Sequence, residues 1–219
     1  MHPDVVPDCL RCLHADAHLL AFDKPTGLLS VPGRGADKQD SLATRALAQW
    51  PDARVVHRLD MATSGVIVLA RGLEMQRALG GAFADRRVDK RYEAIVDGWP
   101  DADSGEIDLP LGADWPNRPR QQVDPVAGKP SLTRWRVLAR MVGPHGAPRT
   151  RLALRPVTGR SHQLRVHLQA VGHPILGDQL YAPPAAAAAA PRLLLHAVSL
   201  KLPHPLDGRA LQLEADLPF

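Results

Sequence analysis

Between Val55 and Arg71 the chain reads VVHRLDMATSGVIVLAR, and one acid, Asp60, stands there among His57, Arg58, Thr63 and Ser64, just ahead of an apolar run. A carboxylate in that position is able to act as a nucleophile, a general base or a stabiliser of developing positive charge. An aspartate in a loop also commonly caps a turn or accepts backbone N–H groups. Two enzyme readings fail on the neighbours. A protein-kinase catalytic loop needs the acid directly after His-Arg, whereas Leu59 intervenes here and no glycine-rich phosphate loop precedes it. An aspartate-dependent hydrolase needs a second acid or base beside Asp60, and His57 alone is a poor candidate.

The elements that must position Asp60 follow from hydrophobic pattern. Gly65–Ala70 is a short, partly β-branched apolar run, as a buried strand should be. Upstream, HLLAFDKPTGLLSVPGR (18–34) reads as a strand, a turn at Lys24–Gly27 and a second short strand ended by Pro32–Gly33. Ser41 is placed to cap a helix over LATRALAQW. LEMQRALGGAFADRR (73–87) has helical spacing, and KRYEAIVDGW (90–99) reads as a strand. Residues 100–130 look like loop. Strand signals return at 132–140 and 150–157, a short helix is expected within 159–172, and closing strands at 193–202 and 210–215. Many strands, few helices and no βαβ repeat predict an α+β fold around a mixed, largely antiparallel central sheet flanked by helices. The length of 219 residues fits one domain.

Apolar residues make up 45% of the chain, which rules against wholesale disorder, and no apolar run approaches the roughly 20 residues needed to span a bilayer. The N-terminus lacks the basic-then-apolar pattern of a signal peptide, so a cytoplasmic location is expected. Net charge is +4, with 27 Lys and Arg together, of which only Lys24, Lys38, Lys90, Lys129 and Lys201 are lysine. An arginine-dominated surface suits a polyphosphate partner, because guanidinium groups bind phosphate in two places and stack on bases. A compositional bias toward Arg and Ala gives the same count, and the run PPAAAAAAP at 183–191 is consistent with it. Cys9 and Cys12 form a CxxC, but two thiols do not complete a structural zinc site. No metal or other cofactor is expected.

Six stretches, in order, carry a family resemblance: KPTGLLSVPGR (24–34), HRLDMATSGV (57–66), KRYEAIVDG (90–98), TGRSHQLRVHL (158–168), GHPILGDQLY (172–181) and PRLLLHA (191–197). Together they resemble the RluA-type pseudouridine synthases along nearly the whole chain. DWPNRPRQQV (114–123) resembles the branch that modifies both ribosomal and transfer RNA. About 17 residues precede the first core strand, too few for the small N-terminal RNA-binding module of some relatives. The resemblance implies a single catalytic domain over 1–219, a pseudouridine synthase fold, and isomerisation of uridine within structured RNA without a cofactor. The targets it implies are uridine 32 in the tRNA anticodon stem-loop and uridine 746 of 23S ribosomal RNA. Another RNA target within the family, or a non-catalytic RNA-binding factor on the same fold, are the alternatives. A monomer is expected.

By the same resemblance Asp60 is the essential carboxylate. Such a group must stay ionised where water is excluded, and desolvation opposes that, so it needs a fixed cation. Arg165 matches the family's salt-bridging arginine, and Arg160 is the alternative or an RNA contact. Tyr92 matches the active-site tyrosine, set to stack on the uracil. With an ordinary pKa of about 10 it is a weak base unless its surroundings help. Leu164 would pack against the base. Flipping a stacked uridine costs a few kcal/mol, and Arg58 is the implied residue to fill the gap, with His57 beside it. Aromatics are only 4% of residues, which argues against a broad base-stacking sheet. RNA should be held through its backbone, with Arg118 and Arg120 in the 99–130 segment as candidates, and with Arg86, Arg87, Lys90 and Arg91.

Overall fold

The apolar run after Asp60 is a strand whose residues 64–70 are all buried, which is why it reads as continuous rather than alternating. A computed structural model describes residues 9–219. In chain order the elements are β1 (Arg11–Ala15), β2 (Leu19–Lys24), α1 (Leu42–Gln49), β3 (Ala53–Val55), β4 (Ser64–Arg71) and α2 (Gly72–Ala84). They are followed by β5 (Asp89–Asp97), β6 (Ser104–Asp108), β7 (Leu111–Ala113), β8 (Gln121–Val123), β9 (Leu132–Val142) and β10 (Pro148–Pro156). The chain ends with α3 (Gln163–Ala170), α4 (Pro184–Ala188), β11 (Leu195–Pro203) and β12 (Ala210–Glu214).

The chain divides into two compact units. The first runs to Lys90 and resumes over His196–Pro218; the second is Arg91–Leu195 with Phe219. In the first unit β2 pairs antiparallel with β1 and β4, β3 runs antiparallel to β4, and β12 to β11. β4 and β11 are parallel, with Ser64 opposite His196 and Gly65 opposite Ala197. Met75, Leu79 and Ala82 fall on one face of α2 and bury against Leu19, Ala21, Val66 and Val68.

In the second unit β10 lies between β5 and β9, and β6 pairs with β9, all antiparallel. β7 and β8 make a separate hairpin. Its Leu111 buries with Val166 of α3 and with Tyr181. The parallel β4–β11 pair stands among antiparallel ones, and with few helices among the described residues this makes the fold α+β, as the sequence predicts.

Several local expectations need correction. The second short strand after Lys24–Gly27 is reduced to a single bridge between Leu29 and Ser41. The 100–130 segment is not loop throughout, since it holds β6, β7 and β8. The polyalanine run contains α4, which buries Ala186 and Ala187. β1 and β3 were not expected. Ser41 does cap α1, accepting the Thr44 N–H at 3.1 Å.

Candidate active site

Asp60 is half-buried in the turn that leads into β4. Its carbonyl accepts the Thr63 N–H at 3.1 Å, and the backbone on either side is tied to the KPTGLLS segment. Ser30 Oγ accepts the Leu59 N–H at 3.0 Å and donates to the Leu59 carbonyl at 2.6 Å. The Met61 carbonyl accepts from the Gly27 N–H at 2.9 Å and from Lys24 Nζ at 3.1 Å. Thr26 Oγ1 donates to the Ala62 carbonyl at 2.8 Å. Lys24 is 0% exposed and also donates to the carbonyls of Leu28 at 2.7 Å and Pro25 at 2.8 Å. An ammonium has three donors, and here all three hold carbonyls. The backbone under Asp60 is therefore fixed.

Downstream, Gly65 has φ +109, and a Cβ there would lie 2.3 Å from the Ala197 carbonyl oxygen. Only glycine lets β4 approach β11 this closely. The neighbouring Ser64 Oγ is 2.7 Å from His196 Nδ1.

Upstream, His57 is turned into its own unit. Its Nε2 accepts the Val68 N–H at 3.0 Å, so the ring is neutral with its hydrogen on Nδ1, and the ring stacks on Phe83 at 4.5 Å. Burial, with help from the positive charge of Lys90, pushes its pKa down to about 3. Lys90 is itself pushed down to about 8 by burial and by Arg86, against the pull of Asp89. Arg58 is exposed. Asp52 pairs with Arg71 at 3.1 Å.

In the second unit TGRSHQLR bends sharply before α3. His162 sits at φ 54, in the left-handed region. Gln163 organises the bend: its Oε1 accepts from Thr158 Oγ1 at 2.7 Å and from the Arg160 N–H at 3.0 Å, while its Nε2 donates to the Leu132 carbonyl and to Thr133 Oγ1, both at 3.0 Å. Arg160 is exposed outside the helix. Leu164 is buried, at 7% exposure. Arg165 is buried too, and its Nε and Nη2 donate to the two carboxylate oxygens of Asp178 at 2.8 and 2.6 Å. Above it, at 5.0 Å, lies the ring of Tyr181. The Tyr181 hydroxyl accepts the Gln121 N–H at 2.8 Å and forms a second hydrogen bond with His162 Nδ1 at 2.6 Å.

A family model described as RNA pseudouridylate synthase matches residues 18–170. The chain belongs to this family. It is 50% identical over 211 residues to the dual-specificity RNA pseudouridine synthase RluA of Escherichia coli strain K12, covering 96% of this chain and 94% of that protein. It is 53% identical over 190 residues to the RluA of Vibrio vulnificus, covering 87% and 76%. Among solved structures it resembles human RNA pseudouridylate synthase domain containing 1, with TM-score 0.82 at 29% identity over 100% of this chain and 87% of that one. The corresponding domain containing 4 protein gives 0.74 at 27%, over 95% and 88%.

As a pseudouridine synthase the protein is an isomerase acting on RNA. Tyr92 lies on β5, half-buried, opposite Leu154 on β10 and on the same side of its strand as buried Ala94 and Val96. Arg118 and Arg120 are exposed in the β7–β8 connection, as are Arg86, Arg87 and Arg91 elsewhere. Sequence reasoning missed Lys24, Ser30, Asp178 and Tyr181. All four lie inside the quoted family stretches, so the motif itself was the available signal. No helix among the described residues is long and apolar enough to cross a membrane.

Proposed function

We propose that this pseudouridine synthase isomerises uridines in RNA hairpin loops of two classes, uridine 32 of the tRNA anticodon stem-loop and uridine 746 of 23S ribosomal RNA. The observation that carries this is the match, nearly end to end, to relatives named as dual-specificity RNA pseudouridine synthases. The family match crosses both compact units, which supports reading them as one catalytic domain; that this domain acts as a monomer in the cytoplasm is part of the proposal.

The reaction breaks the bond from ribose C1′ to uracil N1, turns the base, and joins C5 to C1′. The C5 hydrogen leaves as a proton and N1 gains one, so no oxidant, reductant or cofactor is consumed. Asp60 is the essential carboxylate, poised to attack the nucleoside or to stabilise the cationic sugar. The fixed backbone beneath it supports that assignment, because a reacting group must be held close to its productive position. Arg165, pinned by Asp178, is the cation that keeps Asp60 ionised and aimed. Tyr92 stacks on the flipped uracil beside Leu164. Arg58, exposed ahead of Asp60, fills the place the base vacates, while the neighbouring His57 is turned inward and is not proposed to touch the RNA. Arg160, Arg118 and Arg120 hold the RNA backbone.

The test uses tRNA and 23S hairpin transcripts carrying tritium at uracil C5, with the wild type and Asp60→Ala. The wild type should release tritium to water from both RNAs, and the variant from neither. Release by the variant would move the essential group elsewhere. No release by the wild type from either RNA would overturn the targets.

A further inference from the structure

The β7–β8 hairpin carries a feature that the reaction itself does not require. Between Ala113 and Gln121 the chain turns back on itself, with the Asn117 N–H donating to the Asp114 carbonyl at 3.1 Å, the Arg120 N–H to the Asn117 carbonyl at 3.0 Å, and the Asp114 N–H to the Arg120 carbonyl at 3.0 Å. Trp115 is at the tip. The guanidinium carbon of Arg118 lies 3.5 Å from the centre of its ring. A ring covered on one face and still 68% exposed has its other face open to solvent. Single exposed apolar side chains are ordinary, but an indole backed by a cation is a flat, preorganised surface.

The charges nearby point to its occupant. Arg134 and Arg140 in the same unit are matched by Glu106 at 2.7 Å and Asp103 at 2.6 Å. Arg118 and Arg120 have no carboxylate within ion-pair distance among the described residues, and Asp114 is spent on the Asn117 side chain. The tip therefore presents a stacking face beside two uncompensated cations, which suits a base still joined to its phosphates. Its footing is firm, because Gln121 at the base of the loop donates to the buried Tyr181 hydroxyl, and the Tyr181 ring lies against Arg165.

We propose that Trp115, backed by Arg118, is a stacking platform for an unpaired base of the RNA loop other than the target uridine, and that this contact helps select the substrate. The inference rests on the RNA-modifying reading above. Trp115 is a specificity-determining contact and takes no part in the chemistry.

Binding of an anticodon stem-loop RNA is measured by anisotropy, with the unmodified loop and with each loop nucleotide in turn made abasic. Trp115→Ala should weaken binding of the unmodified loop by roughly 5- to 150-fold, the usual range for base–aromatic stacking. Trp115→Phe should retain most of the affinity. For the wild type one abasic position should be costly, and Trp115→Ala should be indifferent to that same position. kcat should be unchanged while KM rises. Equal binding by Trp115→Ala and wild type overturns the proposal, as does a uniform loss at every position or a loss that phenylalanine does not repair. The binding readout is separate from tritium release, so failure of the platform and failure of the RNA targets are told apart.

Discussion

Arg165 and Asp178 form a two-point ion pair with side chains only 5% and 1% exposed. Thirteen residues separate them, and Asp178 also accepts the N–H groups of Leu180 at 3.0 Å and Tyr181 at 3.2 Å. One carboxylate thus holds the arginine and the turn that places Tyr181 above it. Removing one partner of a buried pair leaves the other charge uncompensated, which costs about 3–5 kcal/mol. Asp178→Asn should lose that much in denaturant unfolding and should lower kcat more than it raises KM. The double variant Asp178→Asn, Arg165→Gln should recover part of the stability and none of the tritium release. Recovery of both would show that the pair serves folding only.

Gly65→Ala combines a left-handed backbone with a collision against the Ala197 carbonyl. Backbone strain and overpacking together should cost about 2–6 kcal/mol. Gly72 is the matched control, since it has φ +74 but nothing within 4 Å of an added Cβ. Gly72→Ala should cost about 1 kcal/mol, the strain alone. Urea midpoints of the two variants check the difference, and equal losses would remove the close approach of β4 to β11 as the reason for Gly65.

His57 should make stability depend on pH. Its folded pKa lies near 3, below the ordinary 6.5. Between those values the unfolded chain binds the proton and the folded protein does not. Stability is therefore complete above pH 6.5 and falls as pH drops through the window, by up to about 1.4 kcal/mol per pH unit. His57→Gln keeps an acceptor for the Val68 N–H without a titrating ring. Unfolding measured from pH 7.5 to 5 should show a shallower slope for the variant, and parallel slopes would assign the effect to another group.

The sequence reveals most of this architecture where one property dominates. The apolar run Val66–Ala70 identified β4, and Ser41 ahead of LATRALAQ identified α1, because burial and capping are local signals. β6 was illegible because a five-residue strand containing Gly and Asp takes its shape from distant partners such as Leu132 and Thr133, and β7 and β8 because three residues each, paired only with one another, are too short to show a pattern. β1 escaped because it is an edge strand with a largely exposed, unalternating pattern. Around the site, Asp60, Arg165 and Tyr92 were legible through motif resemblance. Lys24 was not, since a lysine at a strand end reads as solvated and its buried role depends on carbonyls up to 37 residues away. His57 looked like a contact for RNA, yet its ring is spent on the Val68 N–H.

Ser30 gives the loop around Asp60 an unusual heredity. By meeting both the N–H and the carbonyl of Leu59, its hydroxyl substitutes for a rung between two strands that never form, and Lys24 and Thr26 repeat the tie at Met61 and Ala62. Residues 24–30 and 57–63 are consequently one device written in two places along the gene. A chimera that imports the Asp60 loop from a distant homologue must import its cradle as well, and recombination between the two segments separates parts that work only together.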